Sequence, residues 1–203
     1  KKTIGVIASG PSLKKEDCET LKENCEEIIA VNDSWRMVDA DHLYAADGHW
    51  WHYHIHDINM GFAGKRWSCE PLDEGKKGNS NWNAHDPDEW GVTVLGCETR
   101  GRGLSDDPDV LIGGSNSGYQ GIGLAHRLGA TRIILLGFDM CNHSGLSHFF
   151  GDHPKEFANG KGPERFIAAF RSIKPERYGI EVLNCSRVTA LDCFPRHNLE
   201  DVF

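Results

Sequence analysis

Nowhere in these 203 residues does an apolar run approach the ~20 positions that a membrane helix requires. Nor do the first residues lead into the charged, apolar and small-residue succession of a secretory leader. The chain is therefore expected to keep off membranes and to work in the cytoplasm. Positive charge is scarce: 22 Lys and Arg stand against 30 Asp and Glu, a formal charge of −8, which argues against a broad grip on a polyphosphate backbone. The seven cysteines are odd in number and contain no CxxC pair. Reduced, buried thiols are expected rather than a disulfide frame or a zinc ribbon. There is no GxSxG elbow, no HExxH helix and no Walker lysine loop, so the usual signatures of serine hydrolases, zinc peptidases and P-loop enzymes are missing.

What is present is a succession of short apolar runs and helical patterns. With 39% hydrophobic and 26% charged residues, the chain can fill one substantial core. Strands are predicted at Thr3–Ala8, Glu27–Val31, His42–Ala46, Val92–Leu95, Val110–Ile112, Arg132–Leu136 and Glu181–Leu183. Several are bare apolar runs of the kind buried on both faces of a parallel sheet. Helices are predicted after Ser12, which would cap one carrying Leu13, Cys18 and Leu21; at Trp35–Met37; from His49; over Ser117–Leu128, closed by Gly129; near Pro163–Ser172; and as a last turn from Asn198. The fold class is a doubly wound, mostly parallel, Rossmann-like α/β sheet with helices on both faces. It reads as a single nucleotide-binding domain over 1–203. Residues 61–109 form an irregular insertion or hairpin-built subdomain, for substrate choice or for contacts in a homo-oligomer, and residues 140–162 form a lid loop.

In such sheets ligands sit outside the carboxyl ends of the strands. Small polar residues lie there repeatedly: Ser9, Gly10, Pro11 and Ser12 after the first strand, Asn32 and Asp33 after the second, and Asp47 after the third. Ser115, Asn116, Ser117 and Gly118 open a helix, and Asp139 follows the Arg132–Leu136 strand. Gly10, Asn32, Ser117 and Asp139 are expected to rim one anion-accepting hollow, with helix amides facing a phosphate. The plainer reading is that Ser12, Asp33 and Asp47 cap helices and that Gly10-Pro11 is only a turn. The ligand class is a nucleotide or nucleotide sugar, with no resident cofactor or metal required.

Histidines cluster twice. His49, His52, His54 and His56 have the look of metal ligands, yet only some share a helix face, and a solvated face explains them as well. His143, His148 and His153 lie in the lid, where a histidine can deprotonate an acceptor hydroxyl. His153 is preferred as this base, with His148 second. Asp39-Ala40-Asp41 has the outline of a metal-holding DxD but precedes its strand, so a turn-capping pair is the simpler account.

The strand leading to Gly10-Pro11-Ser12-Leu13, Val31-Asn32, Ser117-Gly118-Tyr119 and the run Ile133 to Asp139 together resemble the bacterial sialyltransferases of glycosyltransferase family 42. The layout is also similar to 6-hydroxymethylpterin diphosphokinases of the MptE-like kind and to flagellar motility accessory factors. Tailed-phage proteins share the wording of Ser115 to Gln120 and Gly151 to Pro154, and a phage origin would put the chain in the host cytoplasm. The resemblance spans about residues 3–47 and 110–154. It implies a cytidine nucleotide held by Ser9, Gly10, Asn32 and Ser117, a lid histidine as base, and transfer of a sugar to a hydroxyl. The acceptor could be modified DNA, against which the acidic balance stands. In the family an asparagine sits between two glycines where this chain has Ala8-Ser9-Gly10. The family's lid tyrosines have no counterpart between Tyr119 and Tyr178. Two rivals remain open: a protein that sequesters a nucleotide or nucleotide signal without turnover, and an ATP-dependent diphosphokinase that needs magnesium.

Overall fold

The computed structural model describes residues 1–73, 82, 85–151 and 163–203. Eight strands form one sheet in which every pairing is parallel. They are β1 (Thr3–Ile7), β2 (Glu27–Val31), β3 (His42–Tyr44), β4 (Lys65–Pro71), β5 (Val92–Glu98), β6 (Val110–Ile112), β7 (Arg132–Leu136) and β8 (Glu181–Asn184). The spatial order is β6-β5-β4-β3-β2-β1-β7-β8. The chain therefore winds outward from β1 to one edge, then crosses back to lay β7 against the other side of β1. That reversal, between β1 and β7, is where an open α/β sheet leaves a crevice.

The alternation of side chains along the central strands builds two cores. Ile4, Val6, Ile29, Val31, Ile133 and Leu135 point to one face, under helix α3 (Ser117–Arg127). Ile7, Ile28, Ala30, Ile134 and Leu136 point to the other, under α1 (Lys15–Asn24) and α2 (Gly48–Gly61). With both faces covered, the strands need no polar alternation, which is why their sequences read as bare apolar runs. α3 lies close because it is built of small residues where it crosses: a Cβ at Gly121 would sit 2.9 Å from Val31 and 3.1 Å from Val6.

The 61–109 segment differs from its hairpin-built expectation. It supplies β4 and β5, which pair in parallel with each other, and through them the sheet continues to β6. A seven-residue strand reading Lys-Arg-Trp-Ser-Cys-Glu-Pro has little apolar signal of its own. Its place comes from Trp67, whose indole donates to His42 Nδ1 at 3.0 Å, and from Ser68, whose hydroxyl accepts from Trp82 Nε1 at 3.1 Å. Three helix expectations also shift. α1 starts at Lys15 after an N-cap Lys14 that makes no side-chain bond, so Ser12 is not its cap. The turn expected at Trp35–Met37 is a 3-10 helix over Asn32–Arg36. The helix expected near Pro163–Ser172 is 3-10 over Pro163–Phe166, followed by the short α4 (Ile167–Phe170). No helix among the described residues is long and apolar enough to cross a membrane.

Candidate functional site

The loops after β1, β2 and β7 and the first turn of α3 meet at the reversal of strand order. The Gly10 amide donates to the Gly137 carbonyl at 2.8 Å. A Cβ at Gly10 would collide with the Asp139 carboxylate and lie 2.5 Å from the Gly137 carbonyl oxygen, so only glycine lets these loops touch. Ser9 Oγ reaches the Val31 carbonyl at 3.4 Å. A Cβ at Gly118 would sit 3.0 Å from the Phe138 ring. Gly10, Asn32, Ser117 and Asp139 thus belong to one neighbourhood, although they do not play equal parts in it.

Asp139 is 1% exposed and faces inward. Its carboxylate accepts the Ser12 amide at 2.7 Å and the Ser12 hydroxyl at 2.9 Å. Burial pushes its pKa up, while the Ser12 bonds and the nearby His143 pull the other way. This carboxylate and Ser12 satisfy each other, so both are seam-building groups, in contrast to the expectation that they line the hollow. Asp33 is likewise consumed: buried, it accepts from Trp50 Nε1 at 3.2 Å and lies 3.7 Å from His54 and 3.9 Å from Arg36. Asp47 is the N-cap of α2, accepting from the His49 amide at 2.9 Å. The capping reading accounts for Asp47, and a side-chain tie to α2 accounts for Asp33.

The remaining groups differ. Asn32 and Ser115 hold φ of 51° and 54°, a left-handed conformation that is costly for a side-chain-bearing residue and collects at functional sites. Met140 and Ser144 are the other two non-glycine residues of this kind among the described ones. All four lie in the segments that leave the carboxyl ends of β2, β6 or β7, Asn32 as the first residue of its 3-10 turn. Half-buried Asn32 has no side-chain hydrogen bond within the described residues, and Pro11 beside the seam is half-buried too. Asn116 caps α3 by accepting the Tyr119 amide at 3.1 Å. The amides of Ser117 and Gly118, first in the helix, have no intrahelical acceptor by geometry. They sit at the positive end of an eleven-residue helix.

The loop after β7 folds back across this place. The Phe149 amide donates to the Ser9 carbonyl at 3.1 Å, and His148 pairs with Gly151 in a narrow antiparallel bridge. His148 stacks on Phe150 at 5.0 Å, nearly coplanar. One hydrogen bond in the neighbouring residue thus brings His148 beside the first loop. His153 and Asp152 lie outside the described residues.

The other histidine group is a separate surface. His85 Nε2 is 3.4 Å from His49 Nδ1, and its ring stacks on His52 at 4.6 Å. Among the described residues no three or more His, Cys, Asp or Glu side chains converge as a metal site. Asp41, of the DxD-like pair, is bound by Lys22 at 2.8 Å and by the Ile28 amide at 2.8 Å.

Sequence reasoning missed a cavity of about 680 Å³ adjoining Gly114 and Ser115, rimmed by Arg100, Arg102 and Arg165. The signal was available as arginines flanking Gly101, but they lie in a stretch that reads as a surface loop.

No protein-family model matches the chain, and no curated protein sequence does. Among solved structures it is similar to the MAf glycosyltransferase from Magnetospirillum magneticum AMB-1, with a TM-score of 0.65 and 16% identity over the whole of this chain. The chain spans 34% of that protein's length. At this identity the likeness concerns the fold: a Rossmann-like, open parallel sheet of a kind found in a glycosyltransferase.

Proposed function

We propose that the chain is a glycosyltransferase-like enzyme that seats a nucleotide sugar at the β1–β7 reversal and transfers the sugar to a hydroxyl. The observation that supports this reading is that the loops after β1 and β7 meet, with the Phe149 amide next to His148 donating to the Ser9 carbonyl at 3.1 Å, beside left-handed Asn32 and the opening turn of α3. Asn32 is suited to a base or ribose edge. The amides of Ser117 and Gly118 suit a phosphate and would stabilise the charge that develops as the sugar–phosphate bond breaks. The acceptor oxygen forms the new bond to the sugar carbon, its proton passes to a histidine, and the nucleotide departs with the bonding electrons. His148 is the base on this reading; His153 is the second candidate. The fold similarity supports the class, and the family 42 resemblance supports a cytidine nucleotide.

The test begins with thermal shifts against CMP, CDP, UDP and ATP, since a ligand at 100 times its Kd adds about 2.7 kcal/mol. Nucleotide-sugar hydrolysis and transfer are then followed in His148→Ala and His153→Ala. A general base contributes roughly 10²–10⁴-fold. One of the two variants should lose at least a hundredfold in turnover and keep nucleotide binding. Undiminished turnover in the double variant would refute the assignment. Binding without turnover of any sugar nucleotide would leave a sequestering protein, and an ATP reaction abolished by chelator would indicate the diphosphokinase.

A further inference from the structure

The arginine-rimmed cavity lies where the loop after β5, the turn into α3 and the segment 165–172 meet. In a chain with 30 acidic residues and a net charge of −8, guanidinium groups ordinarily find carboxylates. These do not. Among the described residues no carboxylate pairs with Arg102 or Arg165, and Arg100 has only a long 3.9 Å contact with Asp73. The Glu98 carboxyl group, 3.0 Å from where a Cβ on Gly101 would sit, makes no ion pair with the three among the described residues. Arg165 is also laid over the Phe166 ring, 4.4 Å from its centroid, which holds its guanidinium by the rim.

The wall that carries these charges is fixed. The Gly103 amide donates to Ser172 Oγ at 3.0 Å, the Leu104 amide donates to Tyr178 Oη at 2.8 Å, and the Tyr119 hydroxyl donates to the Gly103 carbonyl. Gly103 takes φ of 75° with the Tyr178 hydroxyl filling the space of a side chain. Gly101 is pinned against Ile112, 2.7 Å from where its Cβ would be. Arg100 and Arg102 flank glycines held in place from below, so ordering this loop adds little to the cost of binding. The volume is within the range of small-molecule pockets. Ser115, at the mouth of the α3 turn, adds a hydroxyl.

We propose that this cavity is a binding site for a small polyanion with clustered anionic oxygens, a phosphate ester or a polycarboxylate, gripped by Arg102 and Arg165 with Arg100 at the outer rim. Planar guanidinium forks match both groups in a bidentate manner. The site stands independently of the transferase reading, because none of its arginines belongs to the seam.

Two probes test it, inorganic pyrophosphate and citrate, titrated calorimetrically into the protein at two ionic strengths. Salt-weakened binding of at least one is expected, lowered tenfold or more in Arg102→Ala/Arg165→Ala. Arg102→Lys/Arg165→Lys, which keeps charge and fold, should lose part of the affinity. Binding of pyrophosphate alone assigns a phosphate ester, and of citrate alone a polycarboxylate. Affinity unchanged in the alanine double variant, or no binding of either probe to the unaltered protein, would overturn the proposal. CMP affinity and its loss in Asn32→Gly report on the seam alone, so failure there leaves the cavity's result intact.

Discussion

At the β1–β7 seam, Asp139 and Ser12 use each other's hydrogen-bonding capacity and vanish from solvent. On the β5–β6 side of the same rim, Arg102 and Arg165 reach no carboxylate among the described residues. Both regions offer polar side chains at the carboxyl ends of parallel strands, and position alone would rank them alike. The difference shows that a polar residue at a strand end is evidence of a ligand only to the degree that the protein leaves it unsatisfied. By that measure Asn32, Ser115 and the opening amides of α3 remain ligand-facing candidates, and Asp33, Asp47 and Asp139 become framework.

Asp139→Ala should break this contrast most sharply. It strands a buried amide and a hydroxyl and removes charge-assisted bonds, a loss of about 3 kcal/mol by the usual magnitudes. Asp139→Asn keeps one of the two acceptor oxygens and should cost less, about 1 kcal/mol. Arg102→Ala, on the unsatisfied side, should leave stability within about 0.5 kcal/mol. Urea unfolding of the three variants measures all of this, and equal losses for Asp139→Ala and Arg102→Ala would erase the distinction.

Tyr119→Phe tests whether the cavity wall is as well held as its bonds suggest. The ring stays buried against Phe170 at 5.5 Å, while the bond its hydroxyl donates to the Gly103 carbonyl and its hydrogen-bond contact with Ser172 Oγ are lost. A destabilisation of about 1 kcal/mol is expected, together with weaker pyrophosphate binding. A stability loss with anion affinity intact would mean that the wall is not preorganised for a ligand.

Asn32→Gly separates strain from structure. Glycine accepts φ of 51° freely, so the variant should be as stable as the parent or up to about 1 kcal/mol more stable, while CMP binding falls. Instability of Asn32→Gly with unaltered CMP affinity would reassign Asn32 to the framework beside Asp139.

The central part of this architecture was legible because β1, β2 and β7 are apolar runs buried on both faces, and α3 announces itself by Asn116, its small residues and Gly129, whose φ is 84°. β4 was not legible: its charged start and lone tryptophan gain meaning only beside His42 and Trp82. The neighbourhood of the candidate site was legible in outline for the same reason that the strands were, since strand ends can be counted. Which residues face a ligand was not, because satisfaction depends on partners far along the chain, as Ser12 on Asp139 or Phe149 on Ser9. The arginines were hidden by lying in two segments some sixty residues apart that bonds such as Gly103 to Ser172 and Leu104 to Tyr178 bring together.

The smallest expected effect is a control from the amino end of the sheet, where no ligand is proposed. Burial opposes ionisation of Asp41, but the Lys22 ammonium and the Ile28 amide outweigh it and hold its pKa below the usual 3.8. A depressed carboxylate contributes stability that is present above its unfolded pKa and is lost as pH falls through the folded value. The loss should therefore appear only below about pH 4, and Asp41→Asn should flatten it. Both side chains are more than a third exposed, so screening limits the difference to about 0.5 kcal/mol. Unfolding midpoints from pH 2.5 to 6 would show it. An acid limb unaltered in Asp41→Asn would mean that this pair is not a stabilising element. Satisfied polar groups would then differ in worth between the two ends of the sheet, and the contrast between seam and cavity would have to rest on Asp139 alone.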